Sequence, residues 1–168
     1  MKRSYLLFIL ALCELTYQSA QAGGNEEITI SNCVPPSQEE EEFEPALCPF
    51  KLAEVTKVKI LDRVEDKNDL YYNPKDCADF LALTEPDIIK FFQTANLVTA
   101  SDAHAKLAET SPCHISGQFH FKDGSTAHWD LQSNIHLGHI TINQSGNQAS
   151  PLNLYCPQLC GFIPTYRK

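Results

Sequence analysis

The chain is expected to fold as an α+β domain: an antiparallel sheet of about four to five strands, stapled by disulfides, with a main helix over about residues 85–96 and a shorter one over about 102–109 packed on one face. Three observations lead there. Apolar residues alternate singly through the last third of the chain, a helix-capping signature precedes them, and the cysteines left after removal of an N-terminal leader are even in number.

The firmest element is a hairpin. From Ile115, the residues Ile115, Gly117, Phe119 and Phe121 alternate with Ser116, Gln118 and His120, the pattern of a half-buried strand. Lys122-Asp123-Gly124 follows, with glycine where a three-residue loop needs positive φ. Ala127, Trp129 and Leu131 then alternate with Thr126, His128 and Asp130. Such a loop pairs Phe119 with Ala127 and Gly117 with Trp129, so turn chemistry and apolar pattern agree on one register. A third strand is expected over 136–142, with Leu137, Ile140 and Ile142 in the core, and a turn through 144–147 leads into a fourth at 152–156.

Ahead of the hairpin, Leu52 to Val64 is rich in β-branched residues and reads as one long strand. Residues 66–76, with Asn73-Pro74, read as a turn or loop. Thr84-Glu85-Pro86-Asp87 supplies a capping hydroxyl, a first-turn proline and a carboxylate at the capping-box position, and Ile88, Phe91, Phe92 and Ala95 follow at helical spacing. Ser101-Asp102 is expected to cap the shorter helix. Pro112 disfavours helix in the residue before it and delivers Cys113 extended into the sheet.

The N-terminus has the form of a secretory signal: Met1-Lys2-Arg3, an apolar run from Tyr5 to Cys13, and Ala20-Gln21-Ala22 before Gly23. Cleavage is expected after Ala22, with export to a periplasm or the extracellular space. The bulky Leu12 before Cys13 argues against a lipoprotein cleavage box, and the apolar run is too short for a bilayer-spanning helix. Removing 22 of 168 residues leaves 146, read as an irregular acidic segment (23–50) and a single α+β domain (51–168). No second apolar run exists, so no membrane insertion of the mature chain is expected. The leader takes two of 13 basic and one of 21 acidic residues, leaving eleven against twenty, a net −9. That balance argues against nucleic acid and anionic membrane and is compatible with a protein partner bearing a basic cleft or simply with solubility. Cys33, Cys48, Cys77, Cys113, Cys156 and Cys160 remain, an even set that reads as disulfides with about fifteen possible pairings.

Asp76-Cys77, Leu83-Thr84-Glu85, Phe91-Phe92, Ser111-Pro112-Cys113, Gly117, Asp123-Gly124, Trp129 and Tyr155-Cys156-Pro157 with Cys160 together resemble a group of small exported proteobacterial proteins, mostly uncharacterised, over about residues 76–162. The resemblance implies that Cys77, Cys113, Cys156 and Cys160 belong to a shared core, and by parity that Cys33 bonds Cys48. It implies no activity. The terminal Cys-x-x-x-Cys departs from the tighter Cys-x-x-Cys more usual in the group.

Two constellations invite function. Glu39, Glu40, Glu41, Glu42 and Glu44 form a like-charged run that reads either as a solvated loop or as a partner-binding decoy docking on a basic site. His120, His128 and His139 are expected on the face opposite Trp129, on adjacent strands, where they read either as three separate wetted histidines or as a zinc site. Cys156 to Cys160 has three intervening residues after a strand, which suits a structural bond better than a redox motif. No Gly-x-Ser-x-Gly elbow is present. The expectation is a non-catalytic exported protein without a cofactor, binding another protein as an inhibitor or immunity protein for a toxin or cell-envelope hydrolase. The alternative is a periplasmic metal-binding protein.

Overall fold

The computed structural model describes residues 33–38, 44–107, 111–133, 137–142 and 151–156. Expectations for the leader (1–22), residues 39–42, His136, the turn at 144–147 and Cys160 fall outside them.

Along the chain come β1 (Val55–Glu65), α1 (Pro74–Leu81), α2 (Glu85–Thr94), β2 (Asn96–Val98), α3 (Ala100–Lys106), β3 (Cys113–Phe121), β4 (Thr126–Gln132), β5 (Leu137–Ile142) and β6 (Leu152–Tyr155). The strands form one antiparallel six-stranded sheet in the order β1-β3-β4-β5-β6-β2, one strand more than expected.

The β3–β4 hairpin has the register read from the sequence, with Phe119 opposite Ala127 and Gly117 opposite Trp129. Phe121 N–H donates to the Ser125 carbonyl at 3.0 Å, which leaves a loop of Lys122, Asp123 and Gly124, and Gly124 has φ 85°. The Asp123 carboxylate accepts from Ser125 N–H (2.9 Å) and hydroxyl (2.6 Å), so its charge serves the turn.

Two elements escaped the sequence reading. Asn73-Pro74 starts a helix rather than a loop: the Asn73 side chain accepts from the Lys75 and Asp76 N–H groups, and Pro74 takes the first helical position, where its missing donor costs nothing. With only eight residues, α1 was too short for its periodicity to stand out. The strand β2 replaces the expected tail of the main helix, which ends at Thr94 instead of 96; Asn96–Val98 is extended because β6 offers it an edge to pair with.

The core face of the sheet carries Ile115, Phe119, Ala127, Trp129, Leu131, Ile140 and Leu154, all at most 2% exposed. The helix α2 brings Phe91 and Phe92 onto it. Phe92 meets Phe119 edge-on at 5.2 Å between centroids and Trp129 at 6.2 Å, and Phe119 lies 5.6 Å from Trp129. Each such pair contributes about 0.5–1.5 kcal/mol beyond area burial.

The expectation that both helices share one face is not met by α3. Ladder alternation puts Gly138, against Phe91, on the α2 side and Leu137 on the other. Leu137 packs there with Val98, Tyr155 and, from α3, Ala103 and Leu107. Leu137 is thus buried, but in a second, smaller core. The shorter helix also begins earlier than expected, at Ala100, because Thr99 rather than Ser101 caps it, accepting from Asp102 N–H at 3.0 Å.

Disulfides join Cys33 to Cys48, the pairing the resemblance implied, and Cys77 to Cys113. The second ties α1 to the start of β3. Cys156 is disulfide-bonded as well. Among the described residues, no helix is long and apolar enough to cross a membrane.

A Cβ on Gly117 would lie 2.0 Å from the Lys59 carbonyl oxygen and 2.3 Å from Cζ2 of Trp129, whereas a Cβ on Gly124 would meet nothing within 4 Å. Gly117→Ala is therefore expected to destabilise the fold by about 3 kcal/mol through overpacking. Gly124→Ala should cost only about 1–2 kcal/mol, the left-handed backbone penalty. Chemical denaturation of the two variants measures the difference.

Candidate functional site

The face of the sheet opposite Trp129 holds most of the chemistry-bearing side chains. Strand alternation sends His114, Ser116, Gln118 and His120 of β3 to this face. They are joined there by Thr126, His128, Asp130 and Gln132 of β4, His139 and Thr141 of β5, and Asn153 of β6.

Hydrogen bonds hold its centre. His139 sits opposite both Asp130 and Asn153 in the two ladders it joins. The Asn153 side-chain oxygen, 2.9 Å away, can only accept, so the proton resides on Nδ1 of His139. Nε2 is then the acceptor, facing the Gln132 amide at 3.3 Å. Both imidazole nitrogens are engaged, and the ring is fixed in one tautomer.

The second fixed histidine is His114, which the sequence reading did not single out. Its Nε2–H donates to the Ser111 carbonyl at 2.7 Å, and Nδ1 stands 4.0 Å from Asp130 Oδ1. The Asp130 carboxylate beside it raises its pKa above the ordinary value of 6.5. Partial burial opposes that rise, and the Ser111 carbonyl and the Asp69 charge reinforce it. Ser111 is itself locked. Its buried hydroxyl accepts from Ser133 N–H at 2.8 Å, lies 3.1 Å from the Ser133 hydroxyl and donates to the Cys113 carbonyl. The signal for this cluster in the sequence was faint: a Ser-Pro-Cys corner and a serine just past a strand, with nothing to show that the two would meet.

The expected histidine trio reaches this face as read. His120 is opposite Thr126, His128 lies diagonal to it across the hairpin, and His139 is diagonal to His128 across the next ladder. Successive diagonal neighbours are about 7–8 Å apart, so three of them in a line spread too far to share one ion. Among the described residues, no three His, Cys, Asp or Glu side chains form a group that could hold a metal. A metal on His139 would have to displace Asn153 or Gln132. His128 is exposed, and the His120 Nε2 is buried with no hydrogen-bond partner among the described residues.

Of the acidic run, only Glu44 is described, and it is tied to the fold. Burial, with the Glu44 charge and hydrogen bond, pushes the Tyr155 hydroxyl up to about 12, and the Glu44 carbonyl accepts from Lys106 Nζ at 2.9 Å. A cavity at the β2–β6 end is lined by Cys48, Leu97, Val98, Thr99, Ala100, Pro151, Leu152 and Asn153, none of which titrates, since Cys48 is disulfide-bonded.

The arrangement presents an ordered row of donors, acceptors and a proton-accepting imidazole on an open surface. Such a pattern suits recognition, because its geometry is set before any ligand arrives. Comparison with protein-family models, with curated proteins and with solved structures finds no match for this chain.

The His114–Asp130 contact fixes a pH dependence. A folded-state pKa above 6.5 means the stabilisation is present in full below 6.5 and is lost as pH rises through the folded value. The stability difference between the parent protein and Asp130→Asn should therefore be larger at pH 5 than at pH 8. In an NMR titration, the His114 midpoint should fall toward 6.5 in that variant.

Proposed function

We propose that this chain is an exported, non-catalytic protein that acts by binding another protein, in the manner of an inhibitor or immunity protein. Its partner is a toxin or cell-envelope hydrolase with a basic cleft. The observation that supports this reading is the face of β3, β4, β5 and β6, where His114, Gln132, His139 and Asn153 are held in place by bonds within the protein. A surface organised in advance loses little conformational freedom on docking. The disulfides are compatible with an oxidising compartment.

The mechanism is occlusion with electrostatic steering. The acidic residues Glu39, Glu40, Glu41 and Glu42, with the net negative charge, raise the encounter rate with a basic partner, and the sheet face supplies the contact that persists. Glu44, at the end of the run, is itself anchored to Tyr155 and to Lys106 of α3.

The natural first partner to test is the product of the neighbouring open reading frame, because immunity proteins are encoded beside their toxins. Reversing charge at Glu39 to Glu42 should slow association by about tenfold at low salt and leave dissociation nearly unaltered. Gln132→Ala with Asn153→Ala should instead speed dissociation. Surface plasmon resonance separates the two rates; unaltered rates in both variants would overturn the reading.

A further inference from the structure

The two edges of the sheet are treated differently. The β2 edge is three residues long and is covered: Cys48 and Leu97 exchange backbone hydrogen bonds of 2.8 and 2.9 Å, and the Cys33–Cys48 disulfide holds that segment in place. The β1 edge runs for eleven residues, and no described strand pairs with its outer side. Long open edges are where sheets recruit further strands. Two of the most exposed large apolar side chains of the described residues also lie on this strand, Leu61 at 57% and Val64 at 45%.

Of the charged residues of β1, Lys57 and Lys59 lie in its first half and Asp62, Arg63 and Glu65 in its second; the Arg63 guanidinium donates to the Leu81 and Leu83 carbonyls, and Glu65 pairs with Lys67 at 3.4 Å. Among the described residues, Lys57, Lys59 and Asp62 have no ion-pair partner. Their faces match as well. The register irregularity between Ile60 and Asp62 inserts Leu61 as an extra residue. In consequence Lys57, Lys59, Asp62 and Val64 all stand on the histidine face, opposite His120, Gln118, Ser116 and His114 of β3. Without that bulge the lysines and Asp62 would point to opposite faces.

We infer that the outer edge of β1 pairs antiparallel with the β1 edge of a second copy about a two-fold axis between Ile60 and Leu61. In that register Lys59 of each copy faces Asp62 of the other, Lys57 lies beside Val64, and the Leu61 side chains meet near the axis. Residues opposite one another in an antiparallel ladder share a face, and these do. Edge lysines and bulges ordinarily deter pairing with a foreign strand. Here each lysine of the central pair, without an acidic partner among the described residues of its own copy, finds a carboxylate on a copy of its own strand, so the same features select the second copy. The dimer joins two histidine faces into one continuous surface.

Sedimentation velocity of the mature chain over a concentration series tests this. The parent protein should show a concentration-dependent monomer–dimer equilibrium. Lys59→Glu or Asp62→Lys alone, each placing two like-charged pairs at the interface, should weaken dimerisation by about tenfold. The double swap Lys59→Glu/Asp62→Lys should restore it. Both positions are exposed, and far-UV circular dichroism with a denaturation midpoint confirms that each variant is folded. A chain that remains monomeric to its solubility limit, a dimer indifferent to the single reversals, or a swap that fails to restore association would overturn the inference. None of these outcomes bears on the partner-binding reading, which is tested on the other strands.

Discussion

The indole of Trp129 lies against the backbone of Gly117, directly opposite it on the neighbouring strand, and much of the fold depends on that contact. Only a residue without a side chain leaves room for the ring and for the Lys59 carbonyl on the far side, so one glycine sets the closeness of β1, β3 and β4 together. Phe119 and Phe92 then close over the ring. The indole N–H is buried with no acceptor among the described residues. Leaving such a donor unpaired costs about 1–3 kcal/mol, which the aromatic packing has to outweigh.

With one face committed to that core, the other is left to polar side chains, and the fold treats its two ends differently. At the β5–β6–β2 end, α3 crosses over and makes a second small core with Leu137, Val98 and Tyr155. At the β1–β3–β4 end no described helix covers the histidines. The uncovered region is the proposed docking surface, and its boundary is set by where α3 lies. Asp130 and Asn153 order it by giving His114 and His139 fixed roles.

Much of this was legible in the residues. The β3–β4 hairpin carried two independent signals, Gly124 in the loop and the alternation around Trp129, and both its register and its faces followed. The start of α2 was written in Thr84-Glu85-Pro86-Asp87; the Thr84 N–H and hydroxyl both donate to Asp87, which holds that carboxyl below the usual carboxylate range. The position of α3 was not legible, because Ala103 and Leu107 fit either face equally well by spacing. Nor was the His114–Asp130–Ser111 cluster, whose members come from two separate stretches, 111–114 and 130, and carry no common motif.

What the sequence determined by itself was local: where alternation, caps and turn glycines place strands and helices, and which side chains of a strand share a face, because these follow from periods of two and 3.6 residues. Only the tertiary structure decided which edge stays open, which face α3 covers and which histidines are held. Those outcomes depend on pairings between distant residues, such as Asn96 with Tyr155 and Cys48 with Leu97. No local pattern encodes them, since each strand's partner is chosen by the packing of the whole sheet.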